Sequence, residues 1–103
     1  MTESVVRDNP DESRFEIEVD ETPAGFAEYV ATPGRITFTH TEIDPGFSGK
    51  GLAGVLIRTA LDAARDQGLS VLPLCPFVRS FIAKHPEYVE LVPAGSRARF
   101  ELA

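Results

Sequence analysis

Three glycines stand close together near the middle of the chain, in the segment Gly49-Lys50-Gly51-Leu52-Ala53-Gly54. Glycine adopts left-handed backbone conformations without steric cost and leaves neighbouring N–H groups uncovered by side chains. A helical pattern follows the segment, and the first N–H groups of a helix are unsatisfied donors at the positive end of its dipole. We therefore predict that this loop holds a phosphate or a pyrophosphate.

The loop excludes one known type of phosphate site and matches another only in part. A nucleoside-triphosphate P-loop needs glycine and Ser or Thr at the positions that Asp44 and Gly51 occupy. The dinucleotide fingerprint G-x-G-x-x-G is present, but it belongs to a mostly parallel sheet and needs an acidic residue after the next strand, which is absent here. The remaining alternative is a turn that only begins a helix. Three glycines in six residues lower helix propensity and favour a ligand loop instead.

Short strands joined by turns are predicted for the first half of the chain. Apolar and acidic residues alternate in the segment 14–20, which indicates a half-buried strand. The turns are rich in Gly, Pro and Asp, and their close spacing predicts an antiparallel meander. After a short apolar start at Ser4 to Arg7, the predicted strands are Arg14 to Asp20, Phe26 to Ala31 and Arg35 to Ile43. The predicted turns are Asp8 to Ser13, Thr22 to Gly25 and Thr32 to Gly34.

The hydrophobic period changes in the second half. Apolar or small residues recur with i, i+3, i+4 spacing from Leu52, and Gly68 is placed to end this helix. The apolar run Ser70 to Cys75 predicts a strand buried on both faces, and Pro76 opens a second helix that stops near His85. One more strand is expected at Arg97 to Leu102. The predicted fold class is mixed α/β, an antiparallel meander followed by a β-α-β crossover with one parallel strand pair.

Composition limits the class of protein further. The chain has 103 residues, 43% of them hydrophobic, so we expect one domain spanning residues 1–103. A net charge of −6 leaves few cations for a nucleic-acid face, and no apolar run is long enough to span a membrane. One cysteine and two histidines do not supply a four-ligand zinc site, so no metal is expected. The unpaired cysteine and the lack of a signal peptide favour a cytoplasmic protein.

Four short motifs give the sequence a specific resemblance. The loop resembles motif A of the GNAT acetyltransferases, (Arg/Gln)-x-x-Gly-x-(Gly/Ala), although Ser48 stands where Arg or Gln is usual. The chain from about Phe15 to Tyr88 also resembles a small single-domain GNAT-like subfamily of roughly one hundred residues, near the smallest size for one domain. The matching motifs are His40-Thr41-Glu42, Gly49-Lys50-Gly51, Pro73-Leu74-Cys75-Pro76-Phe77 and His85-Pro86-Glu87-Tyr88.

The resemblance implies a cofactor and a reaction. It implies acetyl-CoA as the acetyl donor, coenzyme A as the product, and a primary amine of a small molecule or a protein as the acceptor. The thioester is expected in a gap between the strand before the loop and the strand after the helix. The residues expected to contact the cofactor are Ile43, Ser48, Gly49, Lys50, Gly51, Leu52, Ala53 and Gly54.

Catalytic roles are assigned to three residues as hypotheses. Glu42 is the candidate base, with a surface carboxylate as the alternative. Cys75 is expected at the gap, as a nucleophile, as part of its lining or as an apolar filler. His40 shares a strand face with Glu42 and is either part of the site or structural. The family's tyrosine acid falls where this chain has Phe81 and Ile82, so Cys75 and Tyr88 are the candidates for the acid.

Two other functions remain open from the sequence. A module that binds acyl-CoA without turnover agrees with the missing tyrosine and with Ser48. A redox-sensing domain built on Cys75 requires an accessible thiol. We expect a monomer or a weak homodimer, and the acceptor is not readable from the residues.

Overall fold

Five strands form one sheet in the order β1-β2-β3-β4-β5. The structure, a computed structural model, describes residues 3–102. β1 to β4 pair in an antiparallel manner, and β4 pairs with β5 in parallel. The strands are β1 Ser4–Asn9, β2 Arg14–Val19, β3 Thr22–Thr32, β4 Arg35–Ile43 and β5 Ser70–Pro73. The α-helices are α1 Leu52–Asp66, between β4 and β5, and α2 Pro76–Lys84. The predicted fold class is therefore confirmed.

The core lies between one face of the sheet and the two helices. In β2 the residues Phe15, Ile17 and Val19 are buried, while the charged residues between them are only half-buried. α1 buries Leu52, Leu56, Ile57, Ala60, Leu61 and Ala64, the stripe that its i, i+3, i+4 spacing predicts. Each large apolar side chain buried in this way contributes about 1.5–3 kcal/mol. The opposite face of the sheet carries no helix among residues 3–102. We call it the outer face.

The predicted break at Thr22 to Gly25 is wrong. The chain turns earlier, at Asp20 and Glu21, which both have positive φ angles of 49° and 69°. β3 then begins at Thr22, with Pro23 at its second position, where proline is tolerated. An irregularity in the pairing with β2 absorbs the extra residue, Ala24.

The last predicted strand, Arg97 to Leu102, is also wrong. This segment forms a short 3-10 helix, Ala98–Phe100, preceded by another at Ala94–Ser96. Its backbone bonds close locally, because the N–H groups of Phe100 and Leu102 both donate to the Arg97 carbonyl. Phe100 and Leu102 are nevertheless buried, which explains their alternating pattern in the sequence.

Two boundaries differ from the predicted ones by a few residues. β1 extends to Asn9, further than the predicted apolar start. β5 ends at Pro73, so Cys75 lies beyond the strand, at the N-cap position of α2. Neither helix in the described part of the chain is both long enough and apolar enough to cross a membrane.

Candidate functional site

The glycine loop has the conformation that its residues predict. After β4, Asp44 accepts a hydrogen bond from the Gly46 N–H at 2.9 Å and so starts a 3-10 turn, Pro45–Phe47. Gly49 and Gly51 both have positive φ angles, 79° and 73°. A Cβ atom at either glycine would meet nothing within 4 Å, so the space above both is open. The glycines are therefore needed for backbone conformation and leave the loop uncovered.

The N-terminus of α1 presents bare amides to this open space. Gly51 is the N-cap residue and has no side chain with which to bond the first turn. The N–H groups of Leu52, Ala53 and Gly54 have no partner within the helix, since the first intrahelical bond runs from the Val55 N–H to the Gly51 carbonyl. Donors and helix dipole together favour an anion at this position.

The other residues of the predicted loop contribute in different ways. Ser48 donates its hydroxyl to the Pro45 carbonyl at 3.0 Å and so stabilises the loop itself. Lys50 is exposed, and Leu52 buries its side chain, so Leu52 offers only its backbone. From the loop, a shallow groove continues along α1. It is lined by Gly54 and Arg58 of α1, by Phe81 of α2 and by His85, which follows α2.

β4 loses its parallel partner before it ends. The β4–β5 pairing stops at Phe38 and Pro73, where the Cys75 N–H donates to the Phe38 carbonyl at 2.9 Å. Beyond Phe38, β4 continues to Ile43 and pairs only with β3, in a register that skips Thr39. The free side of β4 opens between this strand and the start of α2. We call this opening the gap.

His40 and Glu42 lie together on the outer face of β4. The Nε2 atom of His40 is 2.9 Å from the Oε2 atom of Glu42, which confirms that the two side chains share one face. Both side chains are more than half exposed, so solvent reaches the pair. The Phe26 ring of β3 lies 6.2 Å from the His40 ring. The arrangement places a carboxylate and an imidazole within hydrogen-bond distance of each other.

Cys75 lies on the other side of β4. Its Sγ atom is 3.4 Å from the Oγ1 atom of Thr41, which stands between His40 and Glu42 in the strand and therefore points to the opposite face. The thiol is 3% exposed and sits at the N-terminus of α2. The three candidate catalytic residues thus border the same stretch of β4 but do not form a single hydrogen-bonded group.

A comparison with known protein families identifies the family of this chain. A family model described as GCN5-related N-acetyl-transferase matches residues 14–91. The chain belongs to this family. No curated protein matches it. The predicted GNAT superfamily is confirmed, and the narrower resemblance to the Pro-x-Cys subgroup stays a prediction.

In this member of the GCN5-related N-acetyl-transferase family, other side chains engage the hydroxyl group of Tyr88. Its hydroxyl donates to Asp62 at 2.8 Å and accepts from Arg58 at 3.3 Å, while Arg65 lies 5.0 Å over its ring. Burial, and then the hydrogen bond to Asp62, raises the pKa of Tyr88. Asp62 is ten residues from Leu52, which corresponds to roughly 15 Å along the helix. Tyr88 therefore does not reach the loop. We call Tyr88, Arg58, Asp62 and Arg65 the brace.

The family member also has an open cleft that sequence reasoning missed. It measures about 340 Å³ and lies at the end of the sheet where β2 ends, β3 begins and β4 ends. Its charged and aromatic lining includes Arg14, Glu16, Glu18, Phe26, Glu42 and Asp44. We call it the outer cleft. The pairing of Glu16 with Phe26, and of Phe26 with Glu42, brings these residues into one row across three strands.

Thr41 and Phe26 lie at the site, but no feature of the sequence was a reason to propose either of them as a site residue. Thr41 was part of the His-Thr-Glu motif, but its contact with Cys75 depends on where β5 ends. Phe26 was predicted in a strand, but its place beside Glu16 depends on the strand register. Hydrophobic alternation alone gives the face of a residue and does not give its cross-strand neighbours.

Proposed function

We propose that this GCN5-related protein is an N-acetyltransferase that uses acetyl-CoA and acetylates a primary amine of a small molecule or a protein. One observation carries the proposal: the bare N-terminus of α1 opens beside the gap, where β4 has lost its strand partner. An anion site and a free strand edge next to each other suit a ligand that has a pyrophosphate joined to an extended, amide-containing arm.

The residues present fit this ligand. Open space above Gly49 and Gly51, together with the amides of the first turn of α1, provides a site for the pyrophosphate. The backbone of β4 beyond Phe38 has free N–H and C=O groups with which the amides of the arm pair. The groove past Gly54 leads to the cationic Arg58 and is suited to the phosphorylated nucleotide at the other end of the ligand.

The proposed chemistry assigns one role to each side chain. Bound acetyl-CoA supplies an acetyl group activated as a thioester. The Glu42 carboxylate accepts the proton of the incoming ammonium group, and His40 at 2.9 Å passes protons between Glu42 and solvent. The neutral amine then forms the amide bond as the thioester C–S bond breaks, and the leaving thiolate takes up the proton that the amine nitrogen releases, by way of solvent. Thr41 and Cys75 line the inner wall of the gap and exclude water from it. We place the reaction in the cytoplasm, where a lone thiol stays reduced.

One change tests the cofactor site without harming the fold. In Gly54→Ala the added Cβ has only a Phe81 ring atom at 3.9 Å, so the free protein accepts it. Alanine in place of a helical glycine stabilises the protein by about 0.5–1 kcal/mol. The same methyl group narrows the groove between Gly54 and Phe81, and we expect coenzyme A affinity to fall about tenfold, a loss of about 1.4 kcal/mol in calorimetry.

Gly95→Ala is the matched control. Gly95 also has nothing within 4 Å of an added Cβ, and it lies in a 3-10 turn far along the chain from the loop. We expect its coenzyme A affinity to equal that of the unchanged protein. If the wild-type protein gives no heat with coenzyme A at millimolar concentration, the proposed cofactor site is wrong. Equal affinities in Gly54→Ala and Gly95→Ala would contradict the assignment to the head of α1.

A binding module without turnover is the second candidate, and a specific observation favours it. Both tyrosines of the chain are engaged with carboxylates, Tyr29 with Asp8 at 2.6 Å and Tyr88 with Asp62 at 2.8 Å. Neither phenol is thus available to protonate a leaving thiolate. Single-turnover assays with acetyl-CoA and a panel of amines separate the two candidates, because the binding module shows affinity for acetyl-CoA and no acetylated amine.

A further inference from the structure

The outer cleft lies where the pairing of β3 with β2 is interrupted and β3 approaches β4 closely. The extra residue of β3, Ala24, interrupts the pairing with β2, and Gly25 follows it. A Cβ atom at Gly25 would lie 2.5 Å from the Glu42 carbonyl and 2.6 Å from the Ile43 side chain. Glycine is therefore required there. The cleft lies beside this irregularity, with Glu42 in its lining.

The cleft combines an aromatic floor with an excess of negative charge. Four carboxylates line it, and two of them have guanidinium partners: Glu16 pairs with Arg14 at 2.8 Å and Glu18 pairs with Arg7 at 3.1 Å. Arg14 also lies 4.8 Å over the Phe26 ring. The cleft already holds one cation between a carboxylate and a ring, and two negative charges remain in excess.

The volume and the charge of the outer cleft together indicate the kind of molecule that fits it. A cleft of about 340 Å³ with apolar walls accommodates a short alkyl chain. Strands lie about 4.8 Å apart, so the carboxylates on β2 and β4 are separated by roughly two strand spacings. A chain of a few methylene groups with a positive charge at each end spans such a distance. A single ammonium group leaves half of the excess charge unpaired.

We propose that the outer cleft binds the acceptor and that the acceptor is an amine with a second positive charge, such as an alkyl diamine. This inference rests on the proposed acetyltransferase function, because it assigns the reacting amine to Glu42. The second ammonium group binds at the other end of the cleft, toward Asp44 and toward Glu18, whose exposed pair with Arg7 uses only its Oε1 atom. Glu18 is then a specificity residue that takes no part in proton transfer.

A binding experiment with matched probes tests this inference apart from turnover. The protein saturated with coenzyme A is titrated with 1,4-diaminobutane and, separately, with 1-aminobutane, and backbone amide shifts are followed by NMR. We expect the diamine to bind more tightly and to shift the amides of Gly25, Phe26 and Glu42. In Glu18→Gln the affinity for the diamine falls about two- to fivefold, while that for the monoamine is unchanged.

Glu90→Gln provides the control. Glu90 also pairs with an arginine, Arg65, at 3.5 Å, but it lies on the helix side of the molecule, so its loss changes the net charge equally. We expect no change in diamine affinity. Equal affinities for the two amines, shifts outside the cleft, or no shift at all would each overturn the inference. Failure of the proposed function has a different signature, the absence of coenzyme A binding in calorimetry.

Discussion

The two ends of α1 differ in how their polar groups are satisfied. Toward its middle and C-terminus, Arg58, Asp62 and Arg65 all contact Tyr88, which is 2% exposed. At its N-terminus, the amides next to Gly51 have neither a helical partner nor a capping side chain. The same helix is thus fixed by the brace at one end and open at the other. Stability and ligand binding are assigned to separate groups of this helix, apart from Arg58, which belongs to the brace and also borders the groove.

This separation has a physical basis. A buried tyrosine contributes through its area and through a hydroxyl that needs partners, so the brace works only if every polar group in it is paired. An anion site has the opposite requirement, since its donors must stay free for the ligand. Side-chain capping of α1 would stabilise the helix by about 1 kcal/mol and would occupy those donors. The glycine at the N-cap keeps them available.

The largest expected effect removes the brace. In Tyr88→Ala the loss of a fully buried aromatic side chain lowers the free energy of unfolding by about 3–5 kcal/mol, measured by urea unfolding. Tyr88→Phe keeps the ring and loses only the hydroxyl, which costs about 1 kcal/mol. Coenzyme A affinity, measured on folded Tyr88→Phe, stays within a factor of two. A tenfold loss of affinity in Tyr88→Phe would show that the two ends of α1 are coupled.

The next effect is on the reaction and leaves stability intact. In Glu42→Gln the carboxylate that accepts the proton is lost, and kcat/KM for amine acetylation falls about a hundredfold or more. Because Glu42 is exposed, the free energy of unfolding stays within about 0.5 kcal/mol of the wild-type value. Glu28→Gln is the matched control, since Glu28 lies directly opposite His40 on β3. Equal losses in the two variants would remove Glu42 from the mechanism.

The open end of α1 was predictable from local sequence, whereas the brace was not. Gly49 and Gly51 have the positive φ angles that glycine is used for, and the helical spacing begins directly after them. Motif and period are local features, and the GNAT resemblance rests on them. The contact of Tyr88 with Asp62 joins residues 26 apart in the chain and follows from how α2 and the turn after it pack on α1. No local pattern contains that information.

Strand register was the other limit of prediction. The irregularities at Ala24 and at Thr39 decide which residues face each other across β2, β3 and β4, and so they create the outer cleft and align Glu42 with Phe26. Each inserts one residue without a distinctive sequence. The strand prediction for residues 97–102 was wrong for a related reason, because alternating apolar residues occur both in strands and in consecutive tight turns. Position in the final packing decides between them.

The smallest expected effect is the change in the free energy of unfolding with pH. It again separates the two ends of α1, because the brace contains the ionisable Tyr88 whereas backbone amides do not ionise. Burial raises the pKa of Tyr88 and of Tyr29, in each case reinforced by a hydrogen bond to a carboxylate. An unfolded tyrosine loses its proton near pH 10, so the stability that depends on neutral tyrosine is fully present below about pH 10 and falls above it. The limiting slope is about 1.4 kcal/mol per pH unit for each tyrosine.

Urea unfolding between pH 9 and pH 11 measures the decline in stability, and absorbance at 295 nm follows tyrosinate formation. In Tyr88→Phe we expect roughly half the slope, and in the double variant with Tyr29→Phe none that is due to tyrosine. Tyrosinate absorbance that develops near pH 10 while the protein is still folded would show that neither hydroxyl is held as the structure describes.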